Sequence, residues 1–254
     1  MLVDSHCHLD ASEFDADRDA VLARAQAAGV SAQIVPAIAL AGFSKLRGLC
    51  TANPTLHPAY GLHPMYLAEH LPGHLDALRE WIDRERPVAV GECGLDFFVE
   101  GLDHDTQRMY FLRQLELARE FDLPVILHAR RAVEEVIVTI RRSGGLRGVV
   151  HSYSGSEEQA RQLWKLGFCL GIGGPATYER ARRLRGIVAR MPIDFLLLET
   201  DAPDQPLSAH PGERNEPARL REVFDVVAAL RDEHADAIAR ATSHNAQRLF
   251  GLPS

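Results

Sequence analysis

Eight short runs rich in Val, Ile and Leu recur along this chain, each followed by a stretch with helical spacing, and that rhythm limits the fold more than any other feature. The runs are Leu2–Asp4, Ala32–Ala37, Ala59–Leu62, Val88–Glu92, Val125–His128, Val149–His151, Phe168–Ile172 and Phe195–Glu199. Such runs suit parallel strands that are covered on both faces. Between them the spacing predicts helices over Asp17–Ala28, Phe43–Ala52, Leu75–Arg84, Asp105–Phe121, Val133–Arg142, Glu157–Leu166, Tyr178–Ala189 and Pro217–Asp232, with a last helix over His234–Leu249. Gly29 and Gly167 follow two of them as stop signals. Eight strand–helix units in 254 residues predict an α/β fold, a single (β/α)8 TIM barrel over residues 1–254. An open, doubly wound sheet is the competing arrangement, but it leaves the first and last strands far apart.

Composition sets outer limits. With 46% apolar and 25% charged residues, the chain can bury a sizeable core. No apolar stretch approaches the ~20 residues of a membrane span, so no membrane partner is expected. The opening residues lack a basic region followed by an apolar run, which predicts a cytoplasmic location. A net charge of −7 argues against wrapping a long duplex but allows action at nucleic-acid ends, where cations supply the positive field. The cysteines Cys7, Cys50, Cys93 and Cys169 are unclustered and read as reduced, mostly buried thiols. Of the twelve histidines, His57, His70, His74, His104, His210 and His234 read as surface residues.

Six side chains able to bind metal stand at the ends of the apolar runs: His6, His8, Glu92, His128, His151 and Asp201. Strand ends are where a barrel builds its site. His6 and His8 lie two apart, so both face one way in a strand while Cys7 faces the other. Closure makes the first and last strands neighbours, which brings Asp201 to that pair. Glu92, with two oxygens, is placed to bridge a cation held by His6, His8 and Asp201 to a second held by His128 and His151. The expected cofactors are two divalent metal ions (Zn, Mn, Mg or Ni), ~3.5–4 Å apart. The chemistry predicted is hydrolysis by a metal-activated water, with Glu92 and Asp201 as catalytic carboxylates and Asp201 also steering the water's proton.

Other residues are read against plainer alternatives. His63, at the end of Gly61-Leu62-His63-Pro64, points toward the mouth as a donor to substrate. Arg130 shares the face of His128 and is expected to grip a phosphate, with a rim salt bridge as the alternative. Asp96 reads as a loop cap, and Glu199 as either a ligand or a carboxylate holding an imidazole. Gly171-Ile172-Gly173-Gly174 suggests a phosphate cradle only weakly, having no accompanying lysine. Val223, Val226, Val227 and Leu230 read as core.

Taken together, VDSHCHLD (3–10), GLHP (61–64), VGECGLDFF (90–98), PVILHAR (124–130), HSYSGS (151–156), LLLETDAP (196–203) and RNEP (214–217) make the chain similar to the TatD family of metal-dependent deoxyribonucleases. The resemblance runs from residue 3 to about 250. It implies an amidohydrolase-like barrel, divalent metals bound by the six residues above, and phosphodiester hydrolysis, commonly 3′→5′ trimming of DNA or RNA. His63 and Arg130 become substrate contacts by the same resemblance. Asp204, where many members carry tyrosine, and Phe97-Phe98 after GLD resemble the YjjV-like bacterial branch. Both departures bear on the substrate, not on the metal chemistry.

The leading expectation is therefore a phosphodiesterase acting, as a monomer, on nucleic-acid ends or a small phosphodiester. A cyclic amide or ester hydrolase, or an aminoacyl-tRNA deacylase, could use the same centre. A non-catalytic metal-binding protein is the rival outside enzymes, and the complete ligand set argues against it.

Overall fold

Eight strands, all parallel, pair in chain order, as the alternation predicts. The computed structural model describes residues 1–253. The strands are β1 (Leu2–Asp4), β2 (Val30–Pro36), β3 (Leu56–Tyr60), β4 (Ala89–Asp96), β5 (Val125–Arg130), β6 (Gly148–Val150), β7 (Phe168–Ile172) and β8 (Leu196–Leu198). Helices α1 (Arg18–Ala27), α2 (Phe43–Ala52), α3 (His74–Glu85) and α4 (His104–Glu120) follow the first four strands. The remainder are α5 (Val133–Ser143), α6 (Glu157–Lys165), α7 (Arg182–Arg190), α8 (Leu220–Leu230) and α9 (Ala235–Phe250). Among the described residues no helix is long and apolar enough to cross a membrane.

The barrel interior is a side-chain layer with one residue from each strand: Val3, Ile34, Ala59, Ala89, Ile126, Val149, Cys169 and Leu197. Ala246, Leu249 and Phe250 of α9 pack on the same layer. Truncating a residue such as Ile126 or Leu197 to Ala would cost about 2–5 kcal/mol. Because side chains alternate along a strand, the next inward position lies two residues on. From Ile126 that step reaches His128, from Val149 it reaches His151, and from Leu197 it reaches Glu199 and then Asp201. The packed layer thus forms the floor of the functional site.

The seam between β8 and β1 is closed by single amides. Ser5 N–H donates to Leu198 O at 2.9 Å, Asp201 N–H to His6 O at 2.9 Å, and His8 N–H to Ala202 O at 2.7 Å.

Several boundaries differ from the sequence reading. β3 begins at Leu56 and not at Ala59 because pairing with β2 starts at Gln33↔Leu56. β4 continues to Asp96 because its ladder with β5 runs to Asp96↔Arg130. α7 starts at Arg182, since the backbone at Tyr178 is extended (φ −82°, ψ 123°) and its hydroxyl donates to Pro206 O at 3.0 Å. A 3-10 turn over Pro217–Arg219 precedes α8.

Candidate metal centre

The six predicted side chains meet at the barrel mouth, with Glu92 at their middle. Its carboxylate is 1% exposed and turns one oxygen to each half of the group. Oε2 lies 3.1 Å from His6 Nε2 and 3.5 Å from His8 Nε2. Oε1 lies 2.8 Å from His151 Nε2 and 3.1 Å from His128 Nδ1. Asp201 Oδ1 completes the first half, 3.4 Å from His6 Nε2 and 3.6 Å from His8 Nε2. The rings of His6 and His151 stack at 3.9 Å and join the two halves.

Surrounding bonds fix how each imidazole faces the centre. His8 Nδ1 donates to the Pro36 carbonyl at 3.1 Å, which leaves Nε2 facing Glu92. His128 Nε2 donates to Asp96 Oδ2 at 2.8 Å, which leaves Nδ1 facing Glu92. Asp96 is held in turn by the Phe98 and Val99 amides on Oδ1, so it caps the loop and orients an imidazole at once. Glu199 Oε1 accepts the Ser152 amide and lies 3.8 Å from His151 Nδ1. Carboxylates behind imidazoles are the usual way to fix a metal-binding histidine.

His63 differs from the others. Its Nδ1 accepts the Met65 amide at 3.1 Å, so Nε2 carries the proton and donates to Glu92 Oε1 at 2.9 Å. That tautomer offers a donor rather than a lone pair. Arg130, exposed at the rim, stacks its guanidinium 3.6 Å from the Phe98 ring centroid instead of pairing with a rim carboxylate. Both line a mouth cavity of about 1120 Å³ together with Tyr66, Tyr178, Arg180 and Asp204.

Charge in this group is tightly shared. Burial alone would push the Glu92 carboxyl up, but the imidazoles of His151, His63, His6 and His128 hold it well below its ordinary value. Burial opposes charge on His8 and His151 as well. Glu92 and Asp201 outweigh it, raising His8 to about 9 and His151 to about 10. Burial pushes Glu199 up to about 8 and His63 down to about 4. Asp96 falls to about 2 because His128 and the Val99 and Phe98 amides overcome its burial. Cys7 and Cys93 are buried, and burial pushes both thiols up, away from nucleophilic use.

The donor set fits divalent cations. Mixed imidazole nitrogens and carboxylate oxygens suit borderline metals. His6 Nε2 and His8 Nε2 are 3.2 Å apart, close to the roughly 3.4 Å between neighbouring donors around a cation with ~2.1 Å bonds. Buried Glu92 Oε2 has no hydrogen-bond partner among the described residues. His6–His8–Glu92, His63–Glu92–His128 and His6–His151–Glu199 each bring three donor atoms within 4.8 Å of one another.

Some contributors were not visible in the sequence. His70, read as a surface residue, is 8% exposed and donates from Nε2 to the His63 carbonyl at 2.9 Å. Gln205 donates to Asp201 Oδ2 and, at 2.7 Å, to Ser152 Oγ; no spacing in the sequence signals it. Gly171 and Gly173 owe their place to packing on Glu199: a Cβ at Gly171 would stand 2.0 Å from Glu199 Oε2. The role of Asp96 had a usable signal, since Glu92, Gly94 and Asp96 alternate on one strand.

The family model described as "TatD related DNase" matches residues 3–251. The chain is 42% identical to the "Uncharacterized metal-dependent hydrolase YjjV" of Escherichia coli K12, over 99% of this chain and 98% of that protein. Its fold superposes on the crystal structure of that protein with a TM-score of 0.96, at 41% identity, covering 99% and 98% of the two chains. It is 33% identical to the "3'-5' ssDNA/RNA exonuclease TatD" of Pantoea sp., over 99% of this chain and all of that one. An uncharacterized amidohydrolase from Saccharomyces cerevisiae, 19% identical, shares the barrel with a TM-score of 0.84, covering 98% and 99%.

Proposed function

The chain belongs to the TatD family of metal-dependent hydrolases, and from that membership we propose that it is a two-metal phosphodiesterase that trims DNA or RNA ends from the 3′ side. The observation that carries this reading is the split of Glu92, with Oε2 toward His6 and Oε1 toward His151. In this reading His6, His8 and Asp201 hold one divalent cation, His128 and His151 hold the other, and Glu92 is shared.

Bound divalent cations supply an acidified water and charge stabilisation for in-line displacement at phosphorus. The protein's own groups do the rest. Asp201 would help hold a cation through Oδ1 and steer the attacking water's proton toward solvent, while Gln205 steadies Oδ2; the departing 3′ oxygen would take its proton from solvent. His63 Nε2–H, which faces Glu92 Oε1, would be free once a cation occupies that oxygen to donate a hydrogen bond to a non-bridging phosphoryl oxygen as charge grows there. Arg130 grips the next phosphate from the rim, its guanidinium positioned there by stacking on Phe98. The packed barrel layer below excludes water from the far side of the centre. The name of the Pantoea relative supports nucleic-acid ends as substrate. The proposed working form is one monomeric barrel domain in the cytoplasm.

The test is an assay of the metal-reconstituted protein on 5′- and 3′-labelled single-stranded DNA and RNA, run beside a panel of amides and lactones. Shortening from the 3′ end, lost in His128→Ala, is expected. Turnover of an amide with no phosphodiester cleaved would transfer the assignment to the amidohydrolase reaction.

A further inference from the structure

Helix α4 carries two glutamines seven residues apart, Gln107 and Gln114, and both are completely buried. Two turns of helix put them on one face, about 10 Å apart along the axis. Each side-chain amide pairs with both backbone groups of a single residue. Gln107 Oε1 accepts the Asp96 amide at 2.8 Å, and its Nε2 donates to the Asp96 carbonyl at 2.8 Å. Gln114 Oε1 accepts the Leu62 amide at 2.7 Å, and its Nε2 donates to the Leu62 carbonyl at 3.0 Å and to Tyr110 O at 3.2 Å. The ladder between β3 and β4 ends at Tyr60↔Val90, so beyond that point these strand ends need other partners. A carboxamide is the one side-chain group that offers a donor and an acceptor in the arrangement of a peptide. The two glutamines therefore stand in for a strand neighbour.

We propose that Gln107 and Gln114 are positioning residues, one clamping Asp96 so that it aims His128 at Glu92, the other clamping Leu62 so that adjacent His63 presents its Nε2 proton to the same carboxylate. The contacts downstream of each clamp are short: Asp96 Oδ2 to His128 Nε2 at 2.8 Å, and His63 Nε2 to Glu92 Oε1 at 2.9 Å. Asp96 meets His128, which stands in the second cation's half of the site, whereas His63 is a donor. The two clamps thus separate cleanly: one governs cation binding and the other governs the approach of substrate. This division rests on the two-cation reading above.

The experiment compares the full-length wild type with Gln107→Met and Gln114→Met, which keep volume but remove the two hydrogen bonds of Gln107 and the three of Gln114. Each is stripped with chelator and titrated with Zn2+ by calorimetry, then assayed on a single-stranded oligonucleotide. Gln107→Met is expected to weaken one of two sites by about 10- to 100-fold and leave the other within twofold. Gln114→Met is expected to leave both affinities unchanged and to lower kcat/KM by about 10- to 100-fold. Gln107→Glu keeps an acceptor for the Asp96 amide, so it should lose less affinity than Gln107→Met, and it serves if the latter does not fold. Variants that merely melt earlier, with zinc affinities and kcat/KM unchanged, overturn the proposal. Wild type taking up a single ion overturns the two-cation reading instead, and the Gln107 clamp then stands or falls on whether Gln107→Met weakens that ion. Wild type taking up none overturns both.

Discussion

Asp4 on β1 accepts the Thr200 hydroxyl at 2.6 Å and the Thr200 amide at 3.0 Å, and in doing so ties the first strand of the barrel to the segment leaving the last. The same tie sets His6, two residues along from Asp4, against Asp201, next after Thr200. Thr200→Val keeps the shape and removes the hydroxyl, leaving a buried carboxylate oxygen short of a donor. We expect a loss of about 1–3 kcal/mol in urea unfolding. Burial pushes Asp4 up to about 7, so its ionisation already costs stability as pH rises from its unfolded value through that point. The hydroxyl favours the ionised form, so the deficit of Thr200→Val should be larger at pH 8 than at pH 5. A deficit of the same size at both pH values would show that the hydroxyl does not carry the seam.

His63 is expected to serve substrate rather than cation, because its Nδ1 is already taken by the Met65 amide. His63→Gln should lower kcat by about 10²–10³-fold, the usual cost of a lost donor to a developing oxyanion. Zinc affinity, read by calorimetry, should stay within a few-fold. A large loss of zinc affinity would make His63 a ligand.

Protons occupy the centre when cations do not. His8 at about 9 and His151 at about 10 are both raised above the unfolded value, so both imidazoles are protonated at neutral pH in the cation-free protein. A divalent cation has to displace those protons. Cation affinity should therefore rise with pH from 6 to 9, with about two protons released per protein at pH 7.5. Calorimetry in buffers of different ionisation heat measures that number. The cation-free protein should also lose stability as pH rises from about 6.5 through 9 and 10, since the raised imidazoles stabilise the fold only while protonated. An affinity independent of pH would contradict this charge arrangement.

At Gly171 a Cβ would collide with Glu199 Oε2 at 2.0 Å. Gly171→Ala must move the carboxylate away from the Ser152 amide and His151. We expect about 1–3 kcal/mol of destabilisation and zinc affinity reduced by about 10- to 100-fold. Destabilisation with zinc binding intact would mean that Glu199 supports the fold and not the imidazole.

What the sequence made legible was the part written in periodicity. Val, Ile and Leu runs fix strands because a parallel barrel buries both faces, and a two-residue step from that buried layer leads to His128, His151 and Asp201. The contributors that stayed hidden act through backbone partners distant in the chain. Nothing in the sequence singles out Gln107 and Gln114, which fall beside the buried Tyr110, Phe111 and Leu115. Their partners Asp96 and Leu62 are known only once α4 lies over the ends of β3 and β4. His70 reads as surface for the same reason: nothing near it in sequence shows that its ring turns back to the His63 carbonyl. β3 starts before Ala59 because Leu56, His57 and Pro58 pair with β2, although they form no run of Val, Ile and Leu.

In the proposed enzyme Glu92 shares its two oxygens between a pair of cations. Anomalous diffraction from crystals grown with Mn2+ would locate them. Two peaks about 3.5–4 Å apart are predicted, one beside His6, His8 and Asp201 and the other beside His128 and His151, each within bonding distance of a different Glu92 oxygen. A single peak, or a pair of peaks that leaves Glu92 outside the coordination of either, would overturn the two-cation proposal.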